Sequence, residues 1–181
     1  MPGKDEWRKA REECEDSPTP TACFHAFQGC VQAASSPSAH GALQTKLNKK
    51  GLRYLKIGCG ANLSDEAMAV CYTLSMMTNL QPDRAWATSR LDAHCTKGNA
   101  MHCGLLAETL LHHGGASNDC SEADASKAAR LHKVACENGT GRSCEGLGVM
   151  YRDGVGGLPS KAVKARRLFH AACYGSDEDP R

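Results

Sequence analysis

A phrase of small and large residues ending in cysteine recurs along the chain at intervals of 36 to 41 residues. The four copies read Ala165-x2-Leu168-Phe169-x2-Ala172-Cys173, Ala128-x2-Leu131-His132-x2-Ala135-Cys136, Ala87-x2-Arg90-Leu91-x2-His94-Cys95 and Gly51-x2-Tyr54-Leu55-x2-Gly58-Cys59. Steps of three and four place the small residues on one helix face, where a neighbouring helix can approach closely. Because a period of this length is typical of stacked helical hairpins, the phrase predicts an all-α fold, an α/α solenoid of helix-hairpin repeats.

A second cysteine follows three of these copies and opens another helical pattern, at Cys71, Cys103 and Cys144. Each unit is therefore predicted to be a helix pair. We expect a single solenoid domain over residues 1–181, with repeats at 14–58, 59–94, 95–135 and 136–172 and a truncated tail at 173–181. In the last pair, Gly154 is expected to end the first helix and Ser160 to cap the start of the second.

The composition agrees with a helical fold. Isoleucine occurs once and valine six times, whereas the helix formers Ala, Leu, Lys, Arg and Glu are plentiful. A large sheet is therefore disfavoured. The 22 Lys and Arg residues nearly balance the 20 Asp and Glu residues, so the chain lacks the basic surplus typical of nucleic-acid-binding proteins, and we expect no nucleic-acid partner.

Eleven cysteines are many for a chain of 181 residues, and eight of them fall into closely spaced pairs. Each pair joins the end of one predicted helix to the start of the next: Cys14 with Cys23, Cys59 with Cys71, Cys95 with Cys103, and Cys136 with Cys144. A zinc site is the alternative, but the sequence has no Cys-x2-Cys and no His-x3–5-His spacing. Four disulfides, formed in an oxidising compartment, are the preferred prediction.

An odd number of cysteines leaves at least one thiol without a partner inside the chain. Cys30, Cys120 and Cys173 remain after the four pairs are assigned. We expect Cys30 and Cys120 to be small, partly buried residues in helix contacts. Cys173 holds the first-cysteine position of a repeat whose second half is absent, so it is expected to be free, cross-linked to a partner, or paired by rearrangement.

No targeting or membrane segment is predicted. The first 14 residues have no apolar signal-peptide core and are too acidic for a mitochondrial transit peptide, so ordinary secretion is disfavoured. The longest apolar stretch, residues 67–77, is shorter than the roughly 20 residues that a transmembrane helix needs. We therefore expect no transmembrane segment.

The segment from Ala135 to Gly154, with the turn at 156–159 and the following Lys161–Ala165, resembles the cysteine-rich branch of the Sel-one-like repeat family, relatives of the tetratricopeptide repeats. The Cys14-x8-Cys23 phrase, residues 54–59 and the long turn at 112–124 extend the likeness over most of the chain. Over this length it is most similar to the mitochondrial cytochrome c oxidase assembly factors built from such repeats.

The resemblance implies a protein of the mitochondrial intermembrane space, imported without a presequence and oxidised on arrival. It implies a non-enzymatic scaffold that binds other proteins, with subunits of a mitochondrial membrane complex as partners. The scaffold would act as an assembly factor or as an accessory subunit of a respiratory-chain complex. A secreted bacterial member of the family, extracellular or periplasmic after removal of a signal peptide, is the alternative.

Eight histidines raise the question of a metal or haem site: His25, His40, His94, His102, His112, His113, His132 and His170. His94 and His132 stand where sister repeats carry Ala or Phe, so they are expected to pack between helices. Haem binding, which the resemblance implies as an alternative, takes axial ligands from His or Met, but the sequence does not single out a pair. The preferred prediction is no cofactor and no metal.

Motifs of catalysis are missing from the sequence. There is no Gly-x-Ser-x-Gly nucleophile elbow and no Gly-x4-Gly-Lys-Ser/Thr phosphate loop, so we expect no catalytic residue and no enzymatic activity. A cluster of four cations, Lys161, Lys164, Arg166 and Arg167, is predicted to be the solvated face of an amphipathic helix, with docking of an acidic partner or an anionic lipid as the alternative.

Overall fold

A computed structural model of the chain describes residues 4–61, 64–77, 81–112 and 121–175. Within these ranges the regular secondary structure is helical, with no strand. The described helices are α1 (Lys4–Asp16), α2 (Pro20–Ala34), α3 (Ala42–Ala61), α4 (Asp65–Met77), α5 (Gln81–Thr96), α6 (Ala100–Leu111), α7 (Glu122–Glu137), α8 (Gly141–Asp153) and α9 (Ala162–Tyr174). None of these helices is long and apolar enough to cross a membrane.

The chain divides into two compact units, Met1–Arg90 and Leu91–Arg181. In the first unit α1 packs on α2, α2 on α3 and α3 on α4; in the second, α6 packs on α7, α7 on α8 and α8 on α9. Packing of each helix on its neighbours in sequence is typical of helical-repeat folds. The predicted all-α class, helical hairpins cross-linked by disulfides, is confirmed; the extent of the domain and the repeat boundaries stay predictions.

The copy of the repeated phrase that runs from Gly51 to Cys59 contributes buried residues to the first unit. Tyr54 and Leu55 of α3 are fully buried, and the Tyr54 hydroxyl donates a hydrogen bond of 2.6 Å to Glu15 of α1. A Cβ on Gly58 would lie only 2.8 Å from the Cβ of Cys23 in α2. A glycine at this position therefore lets α2 and α3 come together, which explains a residue that otherwise weakens a helix.

The C-terminal hairpin, formed by α8 and α9, has one of its two predicted helix-end residues at the predicted position. Gly154 ends α8 with a φ of 70°, in the left-handed region that favours glycine, as predicted. Ser160 is not the N-cap of the next helix: Lys161 holds that position, without a capping hydrogen bond. The Ser160 hydroxyl instead donates a hydrogen bond of 2.8 Å to the carbonyl oxygen of Arg152, so it closes the turn back onto the end of α8.

Candidate functional site

Four disulfides join consecutive helices, and they bring together the eight cysteines paired from their spacing. The bonded pairs are Cys14–Cys23 between α1 and α2, Cys59–Cys71 between α3 and α4, Cys95–Cys103 between α5 and α6, and Cys136–Cys144 between α7 and α8. The two Cα atoms of each pair lie 4.6–4.8 Å apart, within the usual range for a disulfide. Each bond thus ties the last turn or so of one helix to the first two turns of the next.

The remaining cysteines differ in their surroundings. Cys30 is a buried thiol on α2, and a Cβ on Gly51 of α3 would lie 3.3 Å from its Cβ. Burial raises the pKa of this thiol, because the thiolate loses its hydration there. Cys173, near the end of α9, is an exposed thiol. Cys120 lies outside the described residues, and so does His113.

Two buried histidines contact each other where α5 meets α6. The rings of His94 and His102 lie edge to face, with their centroids 5.1 Å apart. His94 is 8% exposed and His102 is fully buried. The expectation that His94 packs between helices agrees with this burial, whereas His102 carried no sequence signal that set it apart from the exposed histidines.

His132 is the histidine most clearly used as a packing residue. Its ring lies against Gly146 of α8, where an added Cβ would be 2.8 Å from the ring Cε1. Both ring nitrogens are buried and have no hydrogen-bond partner in the part of the chain that the structure describes. Burial lowers the pKa of His132, because the charged imidazolium would be poorly solvated; Glu108 opposes this effect and Arg142 adds to it. The described residues contain no group of three or more His, Cys, Asp or Glu side chains placed to hold a metal ion.

A groove with a volume of ≈ 990 Å³ opens on the second unit beside the last disulfide. One wall is the Cys136–Cys144 disulfide with the start of α8, and the other wall is α9, which contributes Val163, Leu168 and Ala171. We call this surface the C-terminal groove. Val163 is 60% exposed, so the groove presents apolar side chains to solvent. We call Val163, Leu168 and Ala171 the apolar strip. The disulfide fixes one wall of the groove, and packing of α9 on α8 holds the other.

Cations line the α9 side of the C-terminal groove. They are Lys161, Lys164 and Arg167, and α9 itself contains no Asp or Glu. The Lys164 ammonium donates a hydrogen bond of 2.8 Å to the Tyr151 hydroxyl and lies 4.2 Å from the centre of that ring. Lys161 and Arg167 have no ion-pair partner among the described residues.

The acidic side chain in this groove is already engaged. Glu137, at the end of α7, lines the opposite wall, and its carboxylate lies 3.8 Å from the ammonium of Lys133, a salt-bridge distance. The groove therefore offers an excess of unpaired positive charge on one side of an apolar strip. Three of the four cations predicted as a cluster line the groove. The fourth, Arg166, is exposed on α9 and does not line the groove.

The fold and the groove together define the class of protein: an all-α, disulfide-linked helical-repeat protein with a preformed surface groove. No protein-family profile and no curated protein sequence matches the chain. The apolar strip had no counterpart in the sequence interpretation, because Val163, Leu168 and Ala171 become one surface only when α9 packs beside the Cys136–Cys144 disulfide.

Proposed function

We propose that the protein is a non-enzymatic repeat scaffold that binds other proteins in the mitochondrial intermembrane space. It acts there as an assembly factor or as an accessory subunit of a respiratory-chain complex, with cytochrome c oxidase as the first candidate. The compartment and the complex are supported by the likeness of the Cys14-x8-Cys23 phrase, residues 54–59 and the long turn at 112–124 to the mitochondrial assembly factors of the Sel-one-like repeat family. The proposal includes no catalytic step and no cofactor.

The observation that carries the binding function is a disulfide at every second helix junction: α1–α2, α3–α4, α5–α6 and α7–α8. Helical-repeat proteins depend on contacts between neighbours, so each bond reinforces the steps where such a fold is weakest. A surface held in this way loses little conformational freedom when a partner binds. The C-terminal groove is the part of that surface best shaped for a partner.

The disulfides also support the proposed compartment. Proteins of the cytosol are kept reduced, whereas structural disulfides persist in oxidising compartments. The intermembrane space oxidises the cysteines of proteins that it imports, which suits a chain with eleven cysteines. A periplasmic or extracellular location is the competing assignment.

The decisive experiment is co-purification from isolated mitochondria after brief crosslinking, with an affinity tag on the chain. We expect subunits or assembly intermediates of a respiratory-chain complex to be enriched and to migrate with the protein on native gels. Protease protection in intact mitochondria, lost when only the outer membrane is opened, checks the compartment. Recovery of the chain alone, or protection that persists until the inner membrane is opened, would contradict the proposal.

The alternative of haem binding has its own test. Titration of the oxidised protein with haem is followed through the Soret band. A stoichiometric shift that disappears when one histidine is replaced would favour a ligand-binding function. If the spectrum remains that of free haem, haem binding is excluded as the alternative function.

A further inference from the structure

We propose that the C-terminal groove binds an amphipathic helical segment of a partner protein, apolar on the side that enters the groove and acidic along its edge. This inference rests on the protein-binding function proposed above and specifies the chemistry of the partner at one surface. Three features carry it: the apolar strip, the spacing of the cations, and the lack of carboxylates on α9.

The apolar strip provides the seat for such a segment. Val163 and Leu168 project from α9 beside the Cys136–Cys144 disulfide, and Ala171 continues the strip toward the end of the helix. An exposed apolar strip bordered by charge is the surface that binds one apolar face of an amphipathic helix. The strip lies on α9, which has 13 residues. A docked helix of three to four turns, about 20 Å long, matches the length of α9.

The cations match acidic residues on a docked helix rather than a single anion. Lys164 and Arg167 of α9 are three residues apart, about 4.5 Å along the helix axis, and Lys161 stands three residues before Lys164 at the N-cap position. Carboxylates three or four positions apart on a facing helix have nearly the same spacing. A phosphate or one lipid headgroup would instead require cations that converge on a point, whereas the Lys164 ammonium is already held by the Tyr151 hydroxyl.

A second copy of the chain fits less well at this surface. Two α9 helices placed face to face would bring the cations of both copies together, and like charges across an interface repel. Because α9 carries no Asp or Glu, it offers no compensating partner for its own cations. The charge on α9 therefore disfavours a face-to-face contact of two copies and favours an acidic partner segment.

The test uses the oxidised full chain and three labelled peptides of about four helical turns. The first carries Leu at helical spacing with flanking Glu, the second has Lys in place of Glu, and the third has Ser in place of Leu. Binding is followed by fluorescence anisotropy at low and at moderate salt. We expect only the Leu–Glu peptide to bind well, with an affinity that falls as salt is raised, because exposed charges are screened.

Two variants of α9 locate the binding. The double variant Lys161→Glu with Arg167→Glu reverses charges that line the groove, and we expect it to weaken the Leu–Glu peptide about tenfold or more. Arg166→Glu is the matched control, since Arg166 is exposed on the same helix but does not line the groove; its effect should stay within about twofold. All three side chains are exposed, and unchanged thermal unfolding shows that both variants fold.

Several results would overturn the inference. If the double variant and Arg166→Glu lose the same affinity for the Leu–Glu peptide, binding depends on the charge of α9 and not on the groove. If the Ser peptide binds as tightly as the Leu–Glu peptide, the apolar strip takes no part in binding. Dimerisation of the wild-type protein that the double variant abolishes, measured by light scattering, would assign the groove to a second copy. Binding to phosphatidylserine vesicles but not to the Leu–Glu peptide, lost in the double variant, would assign it to a membrane surface.

Co-purification separates this inference from the proposed function. If the same partners are recovered with the wild type and with the double variant, the groove is not their docking site, while the scaffold function stands. If partners are recovered with the wild type and lost in the double variant alone, the groove is their docking site. If the wild type recovers no partner, the scaffold function fails, and the peptide measurements alone decide whether the groove accepts an acidic helix.

Discussion

The ring of Phe169 in α9 lies against the backbone of α8 at Gly148, where an added Cβ would be 2.7 Å from the ring Cε1. His132 stands at the same position of the repeated phrase in α7, and it lies against Gly146 of α8 in the same way. One helix thus accepts a ring from each of its two neighbours, on glycines two residues apart.

Replacing Gly148 with Ala is expected to destabilise the second unit by about 1–3 kcal/mol, because a rigid ring must move away from the new methyl group. Gly60→Ala is the matched control: this helical glycine of α3 is exposed, and an added Cβ would be 3.5 Å from Trp86, an ordinary contact. The control should raise stability by up to about 1 kcal/mol, since alanine favours a helix. Urea unfolding followed by circular dichroism measures both changes, and equal stability of Gly148→Ala and wild type would contradict the close packing.

The free energy of unfolding is expected to decrease as the pH is lowered, because His132 is buried. Burial lowers the pKa of this ring in the folded protein, so the unfolded chain binds a proton more readily than the folded one. The contribution is therefore complete above the ordinary histidine pKa of about 6.5 and is lost as the pH falls through that value toward the lower folded pKa. His132→Phe, which copies Phe169, should flatten this pH dependence.

The measurement is the urea midpoint at pH 7.5, 6.5 and 5.5 for wild type, His132→Phe and His25→Gln. His25 is exposed on α2, so its replacement should leave the wild-type pH dependence in place. A His132→Phe protein that loses stability between pH 7.5 and 5.5 as steeply as the wild type would show that another group is responsible.

Removal of the last disulfide should loosen the second unit. The Cys136→Ala and Cys144→Ala double variant is expected to lose about 2–3 kcal/mol, the contribution of a short closed loop in the chain-entropy treatment; the two cysteines are 8 residues apart. The unfolding midpoint should drop accordingly. Since the Cys136–Cys144 disulfide forms one wall of the C-terminal groove, the same variant should also bind the Leu–Glu peptide more weakly. An unchanged midpoint would argue that the bond carries no stability.

The two described free thiols should react at very different rates. Cys173 is exposed and Cys30 is buried with a raised pKa, and the reactive form of cysteine is the thiolate. Brief alkylation of the native oxidised protein at pH 8, followed by peptide mapping, is expected to modify Cys173 and spare Cys30. In urea both should react. Rapid labelling of Cys30 in the native protein would mean that α2 and α3 separate readily.

The fold was predictable because the repeated phrase carries it. Alanine, leucine and cysteine at steps of three and four mark the packed faces of α5, α7 and α9, and the paired cysteines mark the helix junctions. The N-cap was misplaced because the hydroxyl of Ser160 had two acceptable roles, and only the path of the turn decides between them. The contact of His132 with Gly146 and the apolar strip of the C-terminal groove depend on which helices become neighbours, so they required the structure.

The connectivity of the four disulfides along the chain has a consequence for oxidative folding. Eight cysteines allow 105 connectivities, yet each of the four bonds joins two cysteines with no other cysteine between them. Short loops close more readily than long ones. Apart from Cys23 with Cys30, which are 7 residues apart, the shortest pairings in the chain, at 8, 8, 9 and 12 residues, are the native ones. Each bond therefore needs only its own two helices to form, and oxidation can proceed along the chain without waiting for distant segments; Cys30 is the one cysteine close enough in sequence to compete for Cys23.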